Sequence, residues 1–216
     1  MERVRDLSLA GTPPPPLVKR VPLFFAAVRF EETVFALPFA YAGMVLAADG
    51  LPTWHQFVWI TVAMVSGRTL GMSANRIIDR HIDAGNPRTA GRHLPTGALK
   101  LYDMVALATV ALVVLLVAAA QLNTLALALA PLAIGYLIVY PYTKRFTWAA
   151  NLALGVALAI APAGAWIGVE GAVTWEPVLL AGAVALWAGS FDILYHVQDR
   201  DFYVDRGLHS VAQRFG

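Results

Sequence analysis

Six apolar runs dominate this chain, at residues 23–48, 57–74, 105–120, 125–140, 148–168 and 178–195. A helix needs about 20 apolar residues to cross the hydrocarbon core of a bilayer. The third and fourth runs are short, and a tight turn around residues 121–123 joins them into one helical hairpin over 104–140. Charge is scarce enough for lipid to be the main solvent: 14% of residues are charged, against about 25% in a soluble domain. The sequence therefore predicts an all-α integral membrane bundle with six transmembrane helices. Cysteine is absent, which excludes disulfide scaffolds, thiolate metal sites and a cysteine nucleophile.

The basic residues orient the bundle. With the N-terminus inside, the outer loops are residues 49–54, 121–124 and 169–177, and none holds Lys or Arg. Of the 16 basic residues, 15 fall in the N-terminal arm, at the mouth of the first run or in the inner segments. The other, Arg68, lies about two turns inside the inner end of the second run. Positive charge accumulates on the cytoplasmic side, so the N-terminus is expected in the cytoplasm and the charged loops facing it. The first 20 residues lack the apolar h-region of a secretory signal, and Gly11 to Pro16 favour an extended arm. The chain divides into this flexible arm, 1–22, and a transmembrane domain, 23–216.

At the inner end of the second run, Asn75, Asp79 and Asp83 are spaced i, i+4, i+8, one above another on a helix face. Two like charges at that spacing repel unless a cation neutralises them. Hard oxygen donors on one face suit Mg²⁺, which often bridges to phosphate. A solvated helix end with ordinary ion pairs is the plainer reading. Ionisable groups at the mouth of a membrane helix favour function instead. Beyond the cluster, Arg80, Arg88 and Arg92 offer planar donors that match either a diphosphate or lipid headgroups.

A second cluster closes the sixth run. Asp192 and Asp199 are two turns apart on one face, and Asp201 and Asp205 are spaced i, i+4. Together the clusters could hold two divalent ions and bind a diphosphate between them. Lys144 and Arg145, in the inner loop between the clusters, either set the topology or face the same cavity.

These residues resemble a known family. Asn75-Arg76-Ile77-Ile78-Asp79-Arg80-His81-Ile82-Asp83, with Asn86-Pro87-Arg88-Thr89 and Leu94-Pro95-Thr96-Gly97, is similar to the first signature of the UbiA superfamily of intramembrane prenyltransferases. Asp192-Ile193-Leu194-Tyr195 through Asp199-Arg200-Asp201, then Gly207-Leu208-His209-Ser210, resembles the second. Phe35-Ala36-Leu37-Pro38 and Tyr142-Thr143-Lys144-Arg145 fit as well. The nearest branch resembles the 4-hydroxybenzoate polyprenyltransferases and the similar menaquinone enzymes of the futalosine route.

The resemblance implies that Asn75, Asp79 and Asp83 bind one Mg²⁺ and that Asp192 and Asp199 serve a second. It implies ionisation of an allylic prenyl diphosphate. Attack on an aromatic ring ortho to a hydroxyl follows, in ubiquinone or menaquinone biosynthesis at a bacterial-type inner membrane. Where the family often repeats its acidic motif, four residues after Asp199, this chain has Tyr203, and Asp201 or Asp205 is the expected substitute. The family usually has about nine spans, so the six here are expected to lack three C-terminal helices. Glu31 and Glu32 are candidates to orient an acceptor hydroxyl, and Tyr195 is a candidate acceptor or carbocation contact.

The expected partners are membrane lipid, a prenyl diphosphate and an aromatic acid, with no nucleic acid. A haem, chlorophyllide or phosphoribose acceptor is the alternative within the superfamily. A transporter, with spans broken at Pro131 and Pro162, is the alternative outside it.

Overall fold

The computed structural model describes residues 17–216, and helix is their only regular secondary structure, with no strand among them. The helices are α1 (Leu17–Ala27), α2 (Glu31–Ala47), α3 (Trp54–Gly85), α4 (Leu101–Leu122), α5 (Thr124–Val139), α6 (Ala150–Glu170) and α7 (Glu176–His196). Two short helices follow, α8 (Arg200–Asp205) and α9 (Val211–Phe215). Among the described residues, five segments are long and apolar enough to cross a membrane: Trp54–Gly85, Leu101–Leu122, Thr124–Arg145, Ala150–Glu170 and Glu176–Asp205. The chain is an integral membrane protein.

The first apolar run is not one helix. Arg29 adopts the left-handed region, with φ 47°. The Phe30 N–H donates to the Phe25 carbonyl at 2.9 Å and the Arg29 N–H to Ala26 at 3.2 Å. That pair of bonds is a Schellman ending, and the Phe25 and Phe30 rings close it at 4.8 Å. The helix on its far side, α2, has 17 residues. Of the expected N-terminal arm, residues 1–16 lie outside the described residues, and 17–22 belong to α1.

Local chemistry sets the other boundaries. At the start of α3, the Thr53 hydroxyl accepts from the Gln56 N–H at 3.2 Å, and the Gln56 side chain accepts from the Thr53 N–H at 2.9 Å. This reciprocal capping box opens a helix of 32 residues. It continues 11 residues beyond the apolar run, from Ala74 to Gly85, and so carries the first acidic cluster. A single extended residue, Asn123, separates α4 from α5. Its side chain accepts from the Ala126 N–H and donates to the Ile167 and Gly168 carbonyls at 2.8 and 3.1 Å, pinning the hairpin to α6.

Close helix crossings hold the bundle. A methyl on Gly43 would lie 2.3 Å from the Pro162 carbonyl oxygen, and one on Gly155 would lie 2.1 Å from that of Ala185. These two sites let α2 and α7 approach α6 at backbone distance. Both α5 and α6 run on through their prolines, Pro131 and Pro162. The broken spans expected of the transporter reading are therefore not formed there.

Candidate active site

The helical extension of α3 places Asp79 and Asp83 deep in one end of the bundle, 1% and 5% exposed. A carboxylate taken from water is destabilised unless a cation and hydrogen bonds compensate it. Both have partners. The Lys144 ammonium donates to Asp79, and the Arg145 guanidinium stands 3.6 Å from its other oxygen. Lys144 comes from the 3-10 turn Tyr140–Arg145 after α5. The Lys144 carbonyl accepts from the His209 N–H at 2.7 Å, so the segment after α8 braces it. Arg92 donates to both oxygens of Asp83 at 2.7 Å.

The second cluster reaches the same place from the other end of the chain. Asp199 is buried. It accepts from the Asn86 amide at 3.0 Å and from two nitrogens of the Arg88 guanidinium. Its hydrogen bonds hold Arg88 above the ordinary arginine range. Arg88 also donates to the Tyr195 hydroxyl at 3.2 Å and lies 5.0 Å over that ring. Asp192 accepts from the Asn151 amide at 2.8 Å and lies 3.2 Å from His196 Nδ1. The Asn151 carbonyl oxygen accepts from the Val211 N–H at 3.0 Å, so one amide ties α6 to α7 and α9. Asn75 of the first cluster and Asp192 of the second line one cavity of about 70 Å³, with Lys144, Asn151, His196 and Tyr203.

The structure thus brings together Asn75, Asp79, Asp83, Asp192 and Asp199, with Arg88, Arg92, Lys144 and Arg145 among them. It does not bring in Asp201. That side chain is 96% exposed beside Arg200, because the turn of α8 carries it to the solvent side. Asp205 is exposed too, while Tyr203 fills the buried position. Arg80 spends its guanidinium on the Ile77 carbonyl of its own helix, apart from the cluster. Glu31 is exposed. Glu32 is bound by Arg29 at 2.6 Å and Arg68 at 2.8 Å.

The donor set fits a hard divalent cation in its chemistry: four carboxylates and an amide, with a buried Asp79 oxygen that accepts no hydrogen bond. The carboxylates are each engaged by a basic side chain of the protein. Among the described residues, no three acids or histidines stand close enough to share one ion. Asn86, Asn151 and His196 escape a reading of local helix faces. Asn86 meets Asp199 across 113 positions of chain.

The UbiA prenyltransferase family pattern matches residues 36–216. The chain belongs to the UbiA prenyltransferase family. A 4-hydroxybenzoate octaprenyltransferase of Aliivibrio fischeri is 35% identical over 171 residues, which cover 79% of this chain and 60% of that one. A protein of the same name from Paraburkholderia phytofirmans is 30% identical over 200 residues, 91% of this chain and 70% of that one. The chain thus spans about 60% of the length of the first of these UbiA relatives.

Among solved structures, the apo UbiA homologue from Aeropyrum pernix K1 superimposes with a TM-score of 0.81 at 36% identity, covering 86% of this chain and 70% of that one. A UbiA homologue from Archaeoglobus fulgidus, bound to DMAPP and Mg²⁺, shares the fold with a TM-score of 0.66 at 20% identity, over 88% of this chain and 68% of that one.

Proposed function

We propose that the chain transfers a polyprenyl group, with Mg²⁺, from a prenyl diphosphate to an aromatic acid, 4-hydroxybenzoate or a related hydroxynaphthoate, in quinone biosynthesis. One observation carries this reading. Two acidic clusters more than 100 positions apart meet at one end of an apolar bundle and are interleaved with basic side chains. That arrangement suits a ligand with an anionic head and a hydrocarbon tail. The names of the Aliivibrio and Paraburkholderia relatives support the choice of substrates, and the ligands of the Archaeoglobus homologue are of the same chemical kind.

In this reading Asn75, Asp79 and Asp83 hold metal from one side, and Asp192 and Asp199 from the other. Bound Mg²⁺ supplies withdrawal of charge from the departing diphosphate. Lys144, Arg145, Arg88 and Arg92 neutralise the same carboxylates in its absence. Once those charges are met, the four cations are free to turn to diphosphate oxygens, where arginine forks and ammonium donors bind well. Asp201, Arg80 and Glu31 take no part. The site faces the cytoplasm of a bacterial inner membrane. The N-terminus lies inside, and α2 with the five longer segments makes six crossings.

The test is transfer from a radiolabelled prenyl diphosphate to a panel of hydroxybenzoates and hydroxynaphthoates, with the chain in lipid nanodiscs. The expected result is one labelled acceptor, lost with EDTA and in Asp79→Asn. Absence of both transfer and Mg²⁺-dependent diphosphate binding would overturn the reading.

A further inference from the structure

One buried side chain in the cavity of about 70 Å³ takes no part in the ion pairs around it. Tyr203 of α8 lines that cavity with Asn75, Lys144, Asp192 and His196, and is 6% exposed. Its place is fixed. The Tyr203 carbonyl accepts from the Leu208 N–H at 2.9 Å, and its ring meets that of His196 edge-on, with centroids 5.8 Å apart. Asp79, Asp192 and Asp199 all stand near enough to act on it electrostatically. Its hydroxyl has no hydrogen-bond partner among the described residues.

A buried hydroxyl without a partner is costly. The carboxylates nearby are engaged by other donors: Asp79 by Lys144, Asp192 by Asn151, and Asp199 by Asn86 and Arg88. Tyr203 bonds to none of them, so its acceptor comes from outside the protein. The same position, four residues after Asp199, is where the family often has an acid. Asp201 is carried to the solvent side and Asp205 is exposed, so neither restores that carboxylate. The change alters the chemistry. A carboxylate there would add a ligand for Mg²⁺. A phenol brings no charge, but its O–H donates to an anionic oxygen in a short, strong hydrogen bond. In a cavity entered by a diphosphate, that oxygen belongs to phosphate.

We infer that Tyr203 donates its hydroxyl directly to an oxygen of the bound diphosphate, holding by a hydrogen bond what an acid at that position would hold through a metal ion. This rests on reading the site as one for a prenyl diphosphate. It adds a binding residue outside the acidic set, and it separates two affinities. Tyr203 contributes to the hold on diphosphate and not to the hold on Mg²⁺. The second cluster then offers the metal two carboxylates, Asp192 and Asp199, and offers the diphosphate one neutral donor.

The test is equilibrium binding of labelled pyrophosphate to the chain in nanodiscs over a range of Mg²⁺ concentrations. Tyr203→Phe keeps the ring and removes only the hydroxyl. It is expected to weaken pyrophosphate binding at saturating Mg²⁺ by about tenfold. The Mg²⁺ concentration for half-maximal binding, read with pyrophosphate at the same multiple of its Kd, should stay unchanged. A 3-fluorotyrosine at Tyr203 in the otherwise unaltered chain gives a second reading. Its fluorine resonance should shift more with pyrophosphate and Mg²⁺ together than with Mg²⁺ alone. That reading removes no group, so misfolding of Tyr203→Phe leaves it decisive. Wild-type affinity in folded Tyr203→Phe overturns the inference, as does a loss confined to Mg²⁺ affinity or a fluorine shift that Mg²⁺ alone reproduces. In each of these cases Mg²⁺-dependent binding by the wild type keeps the diphosphate reading in place. If the wild type binds no pyrophosphate with Mg²⁺, that reading falls, and the role of Tyr203 falls with it.

Discussion

Asp79 is held in the bundle by Lys144 and Arg145, which reach it from another segment. Removing one partner of a buried pair typically costs about 3–5 kcal/mol. Lys144→Met should fall at the lower end, about 3 kcal/mol, because Arg145 remains 3.6 Å away. Thermal unfolding in detergent checks this, and added Mg²⁺ should recover more stability in the variant than in wild type. Asn86→Ala removes one hydrogen bond from a buried carboxylate and should cost about 1–2 kcal/mol in the same measurement. The aspartates themselves were legible in the sequence, since i, i+4 spacing is a local property. Their basic partners Arg88, Arg92, Lys144 and Arg145 were candidates as well, but three other partners had no spacing to mark them. Asn86, Asn151 and His196 carry no spacing signal, because they meet the acids through tertiary contacts. Asp201 shows the converse. It looked equivalent to its neighbours until the turn of α8 carried it to the solvent side.

Backbone proximity matters most among the helices. Gly155 leaves no room for a methyl beside the Ala185 carbonyl. Gly155→Ala should push α6 and α7 apart and destabilise by about 1–3 kcal/mol, read as a lower melting temperature. It should also weaken diphosphate binding, because Asn151 and Asp192 sit on those two helices. The hydropathy pattern found the α4–α5 hairpin and the apolar parts of α3, α6 and α7. It missed two features for physical reasons. Hydropathy reports the solvent around a segment, not its backbone bonds, so the apolar run stops at Ala74 while α3 runs to Gly85, and the spacing of Asn75, Asp79 and Asp83 is what signals the continuation. The break at Arg29 uses a left-handed residue that is not glycine, so hydropathy runs across it, although Arg29, Glu31 and Glu32 interrupt the apolar run there.

For the whole molecule, the distribution of Lys and Arg makes a topological claim that the absence of cysteine makes testable. Leu51→Cys and Gly91→Cys each introduce the chain's single thiol. Leu51 is 95% exposed between α2 and α3, and a side chain at Gly91 would meet nothing within 4 Å. A membrane-impermeant maleimide should label Leu51→Cys in right-side-out vesicles and Gly91→Cys in inverted ones. Labelling of both from one side would contradict the six-crossing arrangement. The central claim is that the two acidic clusters act as one site on a diphosphate. Its most direct test is Mg²⁺-dependent binding of labelled geranyl diphosphate to the wild type, Asp79→Asn, Asp192→Asn and the double variant. The account predicts that EDTA abolishes binding and that each single change weakens it by roughly tenfold or more. The double change should be less than additive, because each single change already disables the shared site. Binding that survives EDTA, or that depends on only one cluster, would contradict it.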